Sequence, residues 1–206
     1  MSAPWCETSL SRRGIGPPMS DPAKRMVIGI TGASGVIYGI ELLRALRDLD
    51  YETHLIVTEA ARRNILIETD FPAAEIERLA TRVHRDDDLA APVASGSFLT
   101  GGMVVIPCTI KSLSAIANSY TAGLLVRAAD VCLKERRPLV LVVRETPLHQ
   151  GHLELMTRAA SLGAVILPPV PAFYHRPKTI LDIVHQTVGK VLDCFKIPHD
   201  LFQRWN

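Results

Sequence analysis

From Met26 onward, short and almost unbroken apolar runs alternate with longer stretches in which apolar residues recur every three or four positions. Residues 26–31 are apolar and β-branched and end in Gly32-Ala33-Ser34-Gly35; Val36, Ile37, Ile40, Leu43 and Leu46 then form a stripe, with Glu41, Arg44 and Arg47 between them. This pattern predicts a strand, a tight turn and a helix buried along one side that ends near Asp48. The same reading gives a strand over 53–58, a helix over 59–68 and a less regular polar region through Asp88. Further strands are expected at 103–107, 139–143 and 164–167, with helices near 110–117, 124–135, 152–162 and 180–194. Strands that are apolar at successive positions are covered on both faces, so the alternation predicts a doubly wound α/β domain with a parallel sheet.

Open sheets of this kind bind ligands beyond the carboxyl ends of their strands. The residues there are Thr31, Gly32, Ser34 and Gly35, then Thr58, then Cys108, Thr109, Lys111 and Ser112, then Arg144 and Glu145, and finally 168–175 with Tyr174 and His175. Glycines and hydroxyls at helix starts leave backbone N–H groups for an anion, so a phosphorylated ligand is expected, with Lys111, Arg127, Lys134 and Arg144 available to balance further phosphate charge. The bland reading of Arg127 and Lys134 is that they are solvated helix residues.

Composition narrows the classes. The chain has 206 residues, 23 basic against 21 acidic, a net charge of +2 and 48% hydrophobic side chains. It is too neutral for a dedicated nucleic-acid binder, and its apolar runs are far shorter than the ~20 residues of a membrane span. Cys6, Cys108, Cys132 and Cys194 form no CxxC pair, which points to a reduced, cytoplasmic protein without structural zinc or disulfides. Residues 1–25 are rich in Pro and Gly and lack the apolar core of a secretory signal, so they read as a disordered extension before a single domain over 26–206. Arg12 and Arg13 would suit a transit peptide, but Glu7 and Asp21 would not.

Several familiar chemistries are disfavoured. The Gly29–Gly35 spacing is not GxGxxG, there is no P-loop, and Pro177 breaks any helix carrying Tyr174 and Lys178 as a dehydrogenase pair. The histidines show no metal-ligand spacing, and Cys108 reads as packing. Glu145 is the acidic residue best placed for proton chemistry in an otherwise cationic rim, its alternative being an ion pair with Arg144.

Taken together, Thr31-Gly-Ala-Ser-Gly35, Ala94-Ser-Gly-Ser97, Pro107-Cys-Thr-Ile-Lys-Ser-Leu113, Arg127-Ala-Ala-Asp-Val131, Leu133-Lys-Glu-Arg-Arg-Pro-Leu139, Val143-Arg-Glu-Thr-Pro147 and Pro168-Pro-Val-Pro-Ala-Phe-Tyr-His175 resemble the UbiX/Pad family of flavin prenyltransferases over residues 26–205. The resemblance implies a Rossmann-like, flavodoxin-like flavoprotein that joins the dimethylallyl group of dimethylallyl phosphate to N5 and C6 of reduced FMN without a metal. The product, prenylated FMN, serves UbiD-type decarboxylases in ubiquinone biosynthesis or aromatic-acid decarboxylation. A homo-oligomer, commonly a dodecamer, is also implied.

Carried over by position, Gly32, Ala33, Ser34, Thr58, Ser95, Gly96, Thr109, Ile110, Lys111, Ser112, Arg127 and Arg144 resemble the FMN site. Lys134, Arg144, Tyr174 and Lys190 resemble the dimethylallyl phosphate site, while Glu145 and Trp205 resemble the catalytic carboxylate and an aromatic residue that closes the site. Some members have serine at Thr58 and Thr109, which keeps the hydroxyl, and arginine at Lys190, which keeps charge but adds a fork. The competing functions are an FMN-dependent cysteine decarboxylase and an FMN carrier without chemistry.

Overall fold

In the computed structural model, residues 21–205 are described; most of the expected N-terminal extension, residues 1–20, lies outside them. The elements are β1 (Arg25–Ile30), α1 (Val36–Asp48), β2 (Glu52–Val57), α2 (Glu59–Glu68), α3 (Ala73–Glu77), β3 (Arg82–His84), β4 (Gly102–Cys108), α4 (Ile110–Ala117), α5 (Leu124–Lys134), β5 (Leu139–Val143), α6 (Gln150–Ser161), β6 (Val165–Ile166) and α7 (Ile180–Cys194). The strands pair in parallel in the order β3-β2-β1-β4-β5-β6. This is the doubly wound order of nucleotide-binding sheets, in which the direction of winding reverses between β1 and β4.

Alternation along the strands divides the core. Met26, Ile28, Ile30, Val104, Ile106, Val140 and Val142 pack on the side of α1, α2 and α7, whereas Val27, Met103, Val105, Leu139 and Leu141 pack with α4 and α5. Every residue of β1, β4 and β5 is buried, which is why, after Arg25 at the start of β1, the sequence of each reads as an apolar run.

The structure shifts several sequence-based boundaries by one or two residues and adds α3 and β3. Arg25 already belongs to β1, is only 7% exposed and pairs with Glu52 at 3.0 Å, and Pro22–Lys24 form a short 3-10 turn capped by Asp21, so the ordered fold begins before Met26. The last strand shrinks to Val165–Ile166, and α6 starts at Gln150, two residues earlier than expected. The polar region before Asp88 contains α3 and the edge strand β3. Five residues and three residues are too short for periodicity to reveal, and β3 carries the charged, exposed positions that suit a sheet edge.

Candidate functional site

At the β1/β4 switch point, two strand ends are stitched together. The Thr31 hydroxyl donates to the Pro107 carbonyl at 2.7 Å and accepts from the Thr109 N–H at 2.9 Å. Beyond this junction lies a cavity of about 840 Å³, bounded by Thr31, Gly32, Thr58, Thr109, Lys111 and Ser112 with Glu59, Asp86, Tyr120 and the start of α5 at Gly123–Val126. That volume lies in the range of small-ligand sites.

Two helices point their N-termini toward it. Thr109 caps α4, its hydroxyl accepting from Ser112 N–H and donating to Ser112 Oγ, both at 3.0 Å. Thr58 caps α2 by accepting from Ala61 N–H at 3.3 Å. A helix leaves its first N–H groups without intrahelical partners, so those of Ile110 and Lys111 are presented with the positive end of the α4 dipole. Gly32 forms the floor: a Cβ there would lie 2.4 Å from that of Ala60, and the Gly32 carbonyl is held by Asn64 Nδ2 at 2.9 Å. These features fit the phosphate and sugar of a mononucleotide.

The neighbouring glycine turn corrects one expectation. Gly35, left-handed at φ 96°, begins α1, yet its N–H and that of Val36 are not free for a phosphate: both donate to Glu68 Oε2, at 2.8 and 3.1 Å. The carboxylate thus occupies the anion position at this helix end, beside Ala33 and the exposed Ser34. Burial raises the Tyr38 phenol above its ordinary value, and the Arg144 guanidinium opposes that rise. The Arg144 backbone N–H is held by the Cys108 carbonyl at 3.1 Å. Glu145 is exposed and accepts from the Thr146 N–H at 3.1 Å, and among the described residues no ion pair joins it to Arg144. The rim is also less cationic than expected, since Glu59, Asp86 and Glu68 add carboxylates. Glu68 and Tyr38 escaped sequence reasoning: Glu68 reaches the turn from the end of α2, and Tyr38 stands in the first turn of α1 itself.

The remaining candidates fall into two further groups. Arg127 donates to the Ala94 carbonyl at 3.0 Å and pairs with Asp130 at 3.2 Å, fastening the segment that carries Ser95 and Gly96. Gly96 packs against the head groups of Lys134 and Glu135, which pair with each other. Leu125 and Val126 at the start of α5 border the cavity, but Lys134 ends that helix, about 12–14 Å further along its axis, so within one chain it does not join the expected phosphate rim. Tyr174, Lys190 and Trp205 belong to α7 and the segments beside it: the Tyr174 and Trp205 rings meet edge to face at 5.6 Å, and Lys190 pairs with Asp193 at 3.4 Å.

Cys108 is fully buried and burial pushes its thiol up to about 12, so it serves packing and not nucleophilic chemistry. Among the described residues, no group of three or more His, Cys, Asp or Glu side chains is arranged to hold a metal ion. No helix of the described residues is long and apolar enough to cross a membrane.

The switch-point cavity and the sheet order define a mononucleotide-binding α/β protein. The family model described as Flavoprotein matches residues 16–194. Flavin prenyltransferase UbiX of Escherichia coli K12 is 62% identical over 185 residues, spanning 88% of this chain and 98% of the relative. Flavin prenyltransferase UbiX of Thauera aromatica is 58% identical over 181 residues, spanning 88% and 93%. A UbiX crystallised with FMN and dimethylallyl pyrophosphate superposes with TM-score 0.87 at 49% identity, covering 88% of this chain and 97% of that one. A dodecameric FMN-dependent UbiX-like decarboxylase from Escherichia coli O157:H7 gives TM-score 0.87 at 46% identity, covering 88% and 99%. The chain belongs to the UbiX family of flavin prenyltransferases. The FMN-dependent cysteine decarboxylase SpaF, at 16% identity and TM-score 0.58 over 70% of this chain and 83% of that one, shares the fold alone.

Proposed function

We propose that this chain transfers the dimethylallyl group of dimethylallyl phosphate to reduced FMN, first to N5 and then to C6, releasing phosphate and supplying prenylated FMN to a UbiD-type decarboxylase. The observation that carries the reading is the switch-point cavity, with its glycine floor and hydroxyl-capped helix starts, beside the glycine turn held by Glu68. Family membership supplies the reaction class.

Gly32, Ala33, Ser34, Thr58, Thr109, Ile110, Lys111 and Ser112 would hold FMN, the hydroxyls and helix starts taking its phosphate and sugar. Reduced FMN supplies an electron-rich N5 and the ring carbon C6. The departing phosphate carries away the C–O bonding pair, and the cations Arg144, Lys134 and Lys190, with the Tyr174 hydroxyl, balance that charge. Tyr174 and Trp205 present aromatic faces to positive charge developing on the allyl group. Ring closure adds a proton to the prenyl double bond and removes one from C6; Glu145 is the carboxylate that moves them.

Because Lys134 stands at the far end of α5 from the cavity, the donor set is completed by a neighbouring copy of the chain, while Ser95, Gly96 and Arg127 remain part of the FMN set. The dodecameric relative supports a homo-oligomer. A cytoplasmic setting is supported by the free thiols of Cys108, Cys132 and Cys194.

Anaerobic incubation with reduced FMN and dimethylallyl phosphate, followed by mass spectrometry of the released flavin, tests the reading. One added five-carbon unit is expected. Unmodified flavin, with FMN retained and the diphosphate donor also tried, would contradict it and favour a decarboxylase or a carrier.

A further inference from the structure

The chain leaves α7 at Cys194 and doubles back along the helix it has just finished. The rings of His199 and Phe202 lie over Gly189, where a Cβ would come within 2.5–2.6 Å of them. The segment ends with Trp205 edge-on to Tyr174. What fastens it is one carboxylate. Asp193 Oδ1 accepts from Arg204 Nη2 at 2.7 Å and contacts His199 Nε2 at 3.1 Å, while Oδ2 accepts from Arg204 Nη1 at 3.1 Å and from Lys190 Nζ at 3.4 Å. His199 Nδ1 accepts from the Leu201 N–H at 3.3 Å, which assigns the ring proton to Nε2 and makes it a donor to Asp193.

We propose that Asp193 is a positioning residue for the prenyl-donor site: its carboxylate aims the Lys190 ammonium and, through Arg204 and His199, clasps residues 199–205 to α7 so that Trp205 stands against Tyr174. The inference rests on the reading of Lys190, Tyr174 and Trp205 as that site. The forked Arg204 contact is the strong form of a charge-assisted hydrogen bond, and it fixes the residue directly before Trp205. The same contact, with help from His199 and Lys190 and against the opposing effect of burial, holds the Asp193 carboxyl down to about 2, so the clasp is charged throughout the neutral range. Trp205 is 79% exposed, so apolar burial contributes little to holding it, and ordering falls to the polar clasp.

The test uses the full chain with Trp5→Phe, which leaves Trp205 as the sole tryptophan. Asp193→Asn and Arg204→Leu are compared with this parent by tryptophan fluorescence anisotropy, retention of FMN, and KM and kcat for dimethylallyl phosphate. Each substitution is expected to lower the anisotropy and raise KM about tenfold, the factor that corresponds to losing roughly 1.4 kcal/mol, with retained FMN unchanged. The double variant should be no worse than either single one, because both open the same clasp. Arg204 has a half-exposed side chain, so its variant keeps the test available if Asp193→Asn fails to fold. Unchanged anisotropy in the variants overturns the proposal. Lowered anisotropy with an unchanged donor KM overturns it differently: the clasp would exist, and the assignment of the donor site would be wrong.

Discussion

The cavity at the β1/β4 switch and the surface around α7 are built in opposite ways. Thr31 and Ser112 in the cavity wall are 1% and 9% exposed and are tied to strand ends and a helix start by short hydrogen bonds, whereas Tyr174 and Trp205 are 41% and 79% exposed. A binding site held by buried elements is organised before its ligand arrives; one held by exposed side chains gains its shape from closure or from a neighbouring chain. On the proposed function, the difference teaches that the switch-point cavity is preformed within one chain, whereas the donor site draws on exposed groups and on a neighbouring copy.

The largest effect should come from the proposed acid–base group, which belongs to neither the cavity wall nor α7. Glu145→Gln is expected to lower turnover roughly 10²–10⁴-fold, the usual range for a lost general acid–base group, while bound FMN stays at wild-type level by absorbance after gel filtration. Next comes the cavity floor. Gly32→Ala drives a Cβ into Ala60 and should destabilise the fold by about 1–3 kcal/mol in a urea titration, with retained flavin falling as well. Such damage would mark the cavity as rigid, whereas the α7 surface should respond more gently. Tyr174→Ala, at an exposed ring, is expected to raise the donor KM by about tenfold or less, within the ~1–2 kcal/mol of an aromatic or cation–π contact, and to spare FMN.

The smallest effect lies outside both regions, at the β2–β3 edge. Burial lowers His54 below its ordinary value of 6.5, against an upward pull from Glu52, and burial lowers His84 in the same direction. The unfolded chain therefore takes up protons more readily than the folded one, so stability is highest above pH 6.5 and falls as pH drops through it. His54→Gln should flatten that slope in urea melts between neutral and mildly acidic pH. Its FMN retention at neutral pH should match wild type, separating this edge from both sites.

Much of the cavity was legible in the sequence because doubly wound sheets put their ligands beyond strand ends: Thr31, Gly32, Thr58 and Thr109 directly follow strands, and Ser112 sits in the first turn of the helix after β4. The central strands were legible for a related reason: β1, β4 and β5 are buried on both faces and leave continuous apolar runs. Other features depend on tertiary placement. Glu68 ends α2 and reaches the start of α1 only once both helices are packed, and Asp86 reaches the cavity from the loop after β3 while accepting the Leu125 N–H at 2.8 Å. Lys134 illustrates the limit most clearly. Its motif suggests a role with phosphate, but linear spacing does not say that a helix carries it away from the cavity.

Subunit complementation tests the division between the two regions most directly. Lys134→Met and Glu145→Gln proteins, each retaining FMN and each poor in prenyl transfer, are dissociated together and reassembled into mixed oligomers. Prenylated flavin should form well above the level of either variant alone, because some sites then combine an intact Glu145 from one copy with an intact Lys134 from another. Mixed oligomers no more active than the separate variants would contradict the account.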